Sequence, residues 1–392
     1  MADGVETRNT ALKRYDALPW PARTDEEWRR TDPAAIPLSE VQLRPEKPPF
    51  KVSYETVAPE LIRSGVILTD LESALKQFPP LVERYLYQAG APQRLMKFVA
   101  LHQALSTQGL FCYVPDGVQV ELPLKTRLEI TGSGSAVFPH ILLVAGRGSQ
   151  VTLVDERYGA AEAAAPTVCD EMVEIFVGEG AVARYIRLQQ WGPAVTELFT
   201  QRTVLEKEAQ FLNIQVALGG LLTKANVETT LAGPESRAEL LGILFGSGRQ
   251  HFDVHTLQDH QAPGTFSDLL YKSALADQSR SVYTGLIRIA KQAQKSNAYQ
   301  ANRNLLLSSE AQADSVPMLE IEADDVRCTH GVAVGPVDDE QAFYLMSRGI
   351  PFAEAERLIV EGFFEPVFRR IPLEDLREQL MAEVNRRLTP HG

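Results

Sequence analysis

Between residues 118 and 322 the chain runs through fifteen short strand-like segments with no helix-length amphipathic stretch between them. They are Val118–Leu122, Arg127–Ile130, His140–Val144, Gln150–Val154, Met172–Val177, Ala183–Leu188, Glu197–Leu205, Gln210–Val216, Lys224–Leu231, Arg237–Leu244, Gln250–Leu257, Phe266–Lys272, Ser281–Ile289, Asn297–Leu306 and Met318–Glu322. Gly, Pro, Ser or Asp separates them. In Ala183-Arg184-Tyr185-Ile186-Arg187-Leu188 the alternation suits a strand with one covered face. The lack of intervening helices argues against βαβ winding and suggests a sandwich, a barrel or a solenoid. Antiparallel meanders usually announce their two-residue turns with Asn-Gly or Asp-Gly. Only Asp116-Gly117 resembles one here, beside Pro115. That favours a solenoid, although no crisp sequence repeat marks its coils.

The flanks differ. The first 110 residues read as helical and irregular, punctuated by Pro19-Trp20-Pro21 and by Pro45 to Pro49. A helix is expected over Pro92–Ser106, with Leu95, Phe98, Val99, His102 and Leu105 on one face and Gly109 beyond its end. His102 on that apolar stripe reads as a packed histidine with no ligand-like neighbour. Beyond residue 334 the chain turns helical again. Asp338 stands three residues before Gln341, the spacing of a helix N-cap, and Gly349 followed by Pro351 supplies a stop. The next helix aligns Ala355, Leu358, Ile359 and Phe363. The last aligns Leu373, Leu376, Leu380, Val384 and Leu388. Helices this short bury little by themselves and must pack on the strand region or on a partner. The expected divisions are 1–110 (N-terminal helical and irregular), 111–334 (the strand series) and 335–392 (a small helical domain).

With 392 residues, two or three domains are the prior. The formal net charge of −12 repels phosphate backbones, so nucleic acid is not an expected partner. No apolar run approaches the roughly 20 residues that cross a bilayer, and the start of the chain shows no apolar signal core. Three cysteines, Cys112, Cys169 and Cys328, cannot build a disulfide framework, and a reducing cytoplasm is expected.

His251, His255 and His260 are the densest histidine group. On a strand, His251 and His255 lie roughly 13 Å apart, too far to share one ion. Asp253 and Asp259 are the expected partners of these rings. Gly242 to Gly248 is glycine-rich but lacks the lysine and helix of a phosphate loop. No metalloprotease helix and no nucleophile elbow is present. Cys328 and His330 are different. Two residues apart on a strand they point to one side, with Cα atoms roughly 6.6 Å apart. Thiolate and imidazole both ligate iron in sulfide clusters, which want four ligands. A buried small cysteine beside a capping histidine is the competing interpretation. If iron binds, the missing ligands come from another polypeptide or from small thiols.

From His260 to Phe368 the residues fall into a recognisable order: His260 to Ser267, Leu269-Leu270-Tyr271-Lys272, Tyr283-Thr284-Gly285, Asn304 to Ser308, Pro317 to Ile321, Cys328-Thr329-His330-Gly331, Phe343-Tyr344-Leu345 and Ser347-Arg348-Gly349-Ile350. The chain resembles the SufB/SufD family of iron–sulfur cluster assembly proteins, and the SufD branch more closely. Leu18 to Pro21 and Asp25 to Trp28 add to that likeness, which is thin between residues 40 and 110. It departs at Pro336-Val337-Asp338-Asp339. The resemblance implies a mainly β fold, a right-handed parallel β-helix flanked by an N-terminal helical region and a small C-terminal helical domain. It also implies a non-enzymatic subunit of a SufB–SufC–SufD scaffold. His330 and Cys328 would then lie at the SufB interface and share a transient iron–sulfur cluster, none being held stably by this chain alone. The ABC-type ATPase SufC would dock on the C-terminal helices through Phe343, Tyr344, Ser347, Arg348, Gly349 and Phe363, and the isolated chain could pair with itself. The competing functions are a β-helix enzyme acting on polysaccharide, a SufB-type scaffold that holds its cluster alone, and an inert structural partner of the ATPase.

Overall fold

The computed structural model describes residues 2–46, 49–90, 94–106, 108–159 and 165–388. The strands are β1 (Phe50–Tyr54), β2 (Ile67–Asp70), β3 (Gln108–Val114), β4 (Leu124–Ile130), β5 (Ala136–Val137), β6 (Pro139–Ala145), β7 (Gln150–Gly159), β8 (Thr167–Val177), β9 (Val182–Trp191) and β10 (Val195–Leu205). They continue as β11 (Gln210–Ala217), β12 (Leu222–Leu231), β13 (Arg237–Gly246), β14 (His251–His260), β15 (Phe266–Leu275), β16 (Arg280–Ile289), β17 (Asn297–Leu306), β18 (Gln312–Ile321) and β19 (Arg327–Pro336). From β6 to β19 consecutive strands alternate between two sheets, one of nine and one of ten strands. Each long strand pairs in parallel with the next but one, as Leu222 does with His251 and His251 with Arg280. The chain is therefore a parallel β-solenoid of about eight coils.

Inward rows fill the space between the sheets. Val151, Leu153, Val173, Ile175, Ala183, Phe211, Phe252 and Leu269 belong to one continuous apolar core. A charged network crosses this core. Arg157 donates to Asp155 at 2.5 and 2.6 Å and to Glu171, and Arg187 binds Glu171 at 2.6 Å and Glu197 at 2.5 Å. Burial alone would raise the Glu171 carboxyl, but the two guanidinium groups hold it down to about 2. At the N-terminal end the solenoid is covered. β1 and β2 add antiparallel edges, and Leu61 of the short helix between them packs on the core.

Helices clothe the outer faces. Three 3-10 turns (Glu26–Trp28, Pro33–Ala35, Leu38–Glu40) and the helices α1 (Ala2–Ala17), α2 (Pro59–Arg63), α3 (Leu71–Gln77), α4 (Pro79–Glu83) and α5 (Met96–Leu105) form the N-terminal part. Trp28, Phe98 and Leu101 pack on Val168, Leu198 and Leu222 of the ten-stranded sheet. Lys224 fastens the strap, donating to Asp253 at 2.7 Å and to the Glu27 carbonyl at 2.6 Å under the Trp28 ring. On the other sheet lie α6 (Asp339–Ser347), α7 (Phe352–Phe368) and α8 (Glu374–Leu388). Val360, Phe364, Val367, Phe368, Leu376, Leu380 and Val384 bury against Ile186, Ile214, Leu241 and Ile243. The tail thus packs on the strands, as its size requires.

Several expectations change. Val118–Leu122 is no strand; it keeps a single bridge, Gln119 to Gln150. The N-terminal part contains β1, β2 and the start of β3 as well as helices. In the Pro92–Ser106 helix, Pro92 lies outside the described residues, and Leu95 sits before the first turn at φ 55°. His102 has close polar neighbours after all, Asp170 and His140. Asp253 contacts His255 at 2.9 Å as expected. Asp259 instead takes Arg288, and His260 bonds with Thr265 and Ser267.

Candidate functional site

Among the described residues the solenoid ends in a coil with no further strand stacked upon it. β19 pairs with β17, β18 pairs with β16, and neither has a second neighbour among the described residues. The register sets Cys328 beside Ala298 and His330 beside Gln300. Ala298 and Gln300 are buried on the inward row, so Cys328, His330, Val332 and Val334 form the inward row of the last coil. Facing them, Ser315, Pro317, Leu319 and Ile321 of β18 continue the inward row Tyr283, Gly285, Ile287 and Ile289. In earlier coils such residues are sealed. Here Leu319, Ile321, Val332 and Val334 are 40–44% exposed.

Cys328 is half-buried against the apolar group Ile287, Ile289, Ala293, Ala298 and Ala323, and that burial pushes its thiol up. His330 is exposed. One coil below it, Gln300 lays its carboxamide over Gly285, where a Cβ would fall 2.4 Å from Gln300 Nε2. Its Oε1 is buried without a hydrogen-bond partner. No third His, Cys, Asp or Glu joins Cys328 and His330 as a metal-binding group among the described residues. Two donors leave a four-ligand cluster half-coordinated.

A second exposed surface lies beside this end. The Asp338 carboxylate caps α6, accepting from the backbone N–H groups of Glu340 and Gln341. Gly349 ends it at φ 86°. The helix presents Phe343 at 72% and Tyr344 at 57% exposure, with Ser347, Arg348 and Gly349 exposed around them. Phe363 stands apart. Half-buried on α7, it lines a cleft of about 1060 Å³ between α6, α7 and the outer face of β15 and β17. Lys272 enters this cleft under the Phe363 ring and donates to the Phe363 carbonyl. Burial, with Arg303 nearby, brings its ammonium down to about 8. The sequence reading passed over Lys272, Arg303 and the four apolar residues of the end coil. The alternation in β18 and β19 carried the signal for the last four. Among the described residues no helix is long and apolar enough to cross a membrane.

Comparison with known proteins agrees with the geometry. Residues 128–363 match the model of the SufBD core domain of the SUF iron–sulfur cluster assembly system, and residues 50–126 match the SufBD N-terminal region. The chain is 33% identical to the iron–sulfur cluster assembly protein SufD of Bacillus subtilis (strain 168), over 86% of this chain and 77% of that protein. It is 31% identical to a SufBD family protein of Staphylococcus epidermidis, over 83% of this chain and 69% of the relative. A SufBD family protein of Staphylococcus aureus (strain USA300) matches at 30% over 94% of this chain and 79% of its own length. A parallel β-solenoid with helices at both ends of the chain, matched to both family domains over most of its length, is a member of the SufBD family of iron–sulfur cluster assembly proteins, and a SufD-like one.

Proposed function

We propose that this chain is the SufD-like subunit of a SufB–SufC–SufD scaffold on which iron–sulfur clusters are built in the cytoplasm. Its open coil meets SufB, and Cys328 and His330 contribute part of the ligand set of a transient cluster that SufB completes. In the absence of SufB the same end pairs two copies of the chain. The SufC ATPase docks on α6 and α7 around Phe343, Tyr344, Ser347, Arg348, Gly349 and Phe363. ATP turnover belongs to that partner, and this chain acts as scaffold.

One observation carries the proposal: two soft donors share the inward row of an uncovered terminal coil, ringed by apolar side chains. A partner stacked there removes those side chains from water, which stabilises association by roughly 25 cal/mol per Å² buried. It also brings its own ligands within reach. Iron takes the thiolate, so the raised Cys328 thiol must release a proton on binding. Only Val337 and Asp338 separate β19 from α6, so movement of the docked helix pulls directly on the strand that carries both donors.

The experiment is His330→Ala in a reconstituted SufB–SufC–SufD complex. Intact assembly and ATPase activity with lost cluster formation is the expected result. Unchanged cluster yield sinks the ligand role. Gln300→Leu, at the position paired in register with His330 one coil below, should lower cluster yield several-fold with assembly intact.

A further inference from the structure

The cleft beneath α6 holds two charges that no side chain in the protein answers. Lys272 of β15 and Arg303 of β17 are register partners, so the strands set two cations side by side on the outer face of the nine-stranded sheet. Like charges directly opposite one another are unfavourable. Elsewhere on this face a cation meets a carboxylate: Arg127 has Glu156 at 2.8 Å, and Arg370 has Asp268 at 2.7 Å. Among the described residues neither Lys272 nor Arg303 forms a salt bridge. Lys272 is only 3% exposed. An ammonium has three hydrogens to donate. Here one goes to the Phe363 carbonyl, and the Phe363 ring lies 4.5 Å away. Burial and Arg303 together bring this ammonium down to about 8, as befits a cation short of counter-charge.

The space beside them is kept open. At about 1060 Å³ the cleft stands at the upper end of the range of small-molecule sites. Its α7 wall includes Gly362 and Pro366. Glycine and proline are the two poorest helix formers, and a Cβ at Gly362 would meet nothing within 4 Å. A larger residue there would strengthen the helix and fill the gap. Leu305, Leu345, Leu358 and Ile359 make the rest of the wall largely apolar. Asp338 and Glu340 stand on the α6 side, where Asp338 Oδ1 is already engaged by the backbone N–H groups of Glu340 and Gln341.

We propose that this cleft binds a small monocarboxylate with an apolar body, its carboxylate seated between Lys272 and Arg303 and its body lying along Leu358, Ile359 and Phe363. The planar guanidinium fork matches a carboxylate, and charge-assisted hydrogen bonds of this kind are the strong ones. Two cations set against Asp338 and Glu340 favour one added negative charge over several. The aliphatic walls suit a body without hydrogen-bonding groups of its own. Both cations stand on the sheet, at the floor of the cleft. A small molecule reaches them there, where a partner seated on the exposed face of α6 does not. The site lies beside the two-residue link between β19 and α6, so an occupant that touches both sheet and helices restrains α6.

Phe363 also belongs to the surface assigned above to the ATPase, so the test uses the full chain without partners. Sodium decanoate is titrated into it calorimetrically, below the concentration at which the probe aggregates. Decanol and decyltrimethylammonium serve as the neutral and cationic arms. Decanoate should saturate a single site and slow amide exchange in α6, and the other two should bind at least about tenfold more weakly. Gly362→Leu fills the cleft without touching a charge, and Arg303→Gln removes the fork from an exposed position. Each should weaken decanoate about tenfold or more, with thermal unfolding close to that of the parent. Equal binding of the three head groups reduces the effect to apolar adsorption and overturns the proposal. Undiminished binding in either variant, or no binding by the parent, overturns it as well.

Discussion

Burial holds His102 down to about 3, and His251 and His260 each down to about 4. An unfolded histidine titrates near 6.5. As pH falls from about 6.5 towards 4, the unfolded chain takes up protons that these folded rings refuse, so stability is lost on the acid side. Each ring contributes up to about 1.4 kcal/mol per pH unit in that window. His260→Gln keeps polar contact with Thr265 and Ser267 and should flatten the acid limb of a urea-midpoint profile by one proton. An unchanged limb would mean that His260 titrates normally in the fold. At this scale the sequence was informative where spacing alone decides. Strand geometry ruled out an ion shared by His251 and His255, and it put Cys328 and His330 on one row. It was silent on Lys224 beneath Trp28 and on His102 beside His140. Those pairs are separated by 196 and 38 residues, and only the packing of the N-terminal part on the ten-stranded sheet brings them together.

Among the elements, the C-terminal helices show how far periodicity reaches. Leu376, Leu380 and Val384 of α8 are buried as the spacing predicted. In α7 Ala355 is buried as expected, but the rest of the buried stripe is rotated to Val360, Phe364, Val367 and Phe368, while Leu358, Ile359 and Phe363 line the cleft beneath α6. A helix held between a sheet and a second helix is apolar on two sides, and one moment cannot rank them. Phe364 of α7 is fully buried. Phe364→Ala should cost about 3–5 kcal/mol, seen as a lower urea midpoint together with faster amide exchange in α7 and α8. Exchange that rises nowhere near the tail would contradict this packing. The turns were illegible for a separate reason. Their left-handed position is held by Glu208, Glu235, Asp277 and Lys295 as well as by Gly180, Gly248 and Gly264. A search for Asn-Gly and Asp-Gly therefore passes over them.

Across the whole molecule, the solenoid was legible as an unbroken strand series, and its coils were not. Thr196 stacks on Leu222, Leu222 on His251 and Arg280 on Gln312, steps of 26, 29 and 32 residues. The coils share an architecture without sharing a period, so no repeat shows in the letters. The uncovered last coil gives the prediction proper to this scale. Leu319→Lys or Val332→Lys places a charge where a partner would seat and leaves the coils behind it unchanged. Either should abolish co-purification with SufB and reduce self-association in sedimentation, with thermal stability nearly unaltered. Retained assembly would move the joint elsewhere. The two tips of this rod are unlike: one is stoppered by β1, β2 and Leu61, and the other is bare. An end-to-end joint that only one tip can make is used once. Should a partner seat on the bare tip, stacking would stop at two chains and could not run on into a fibre.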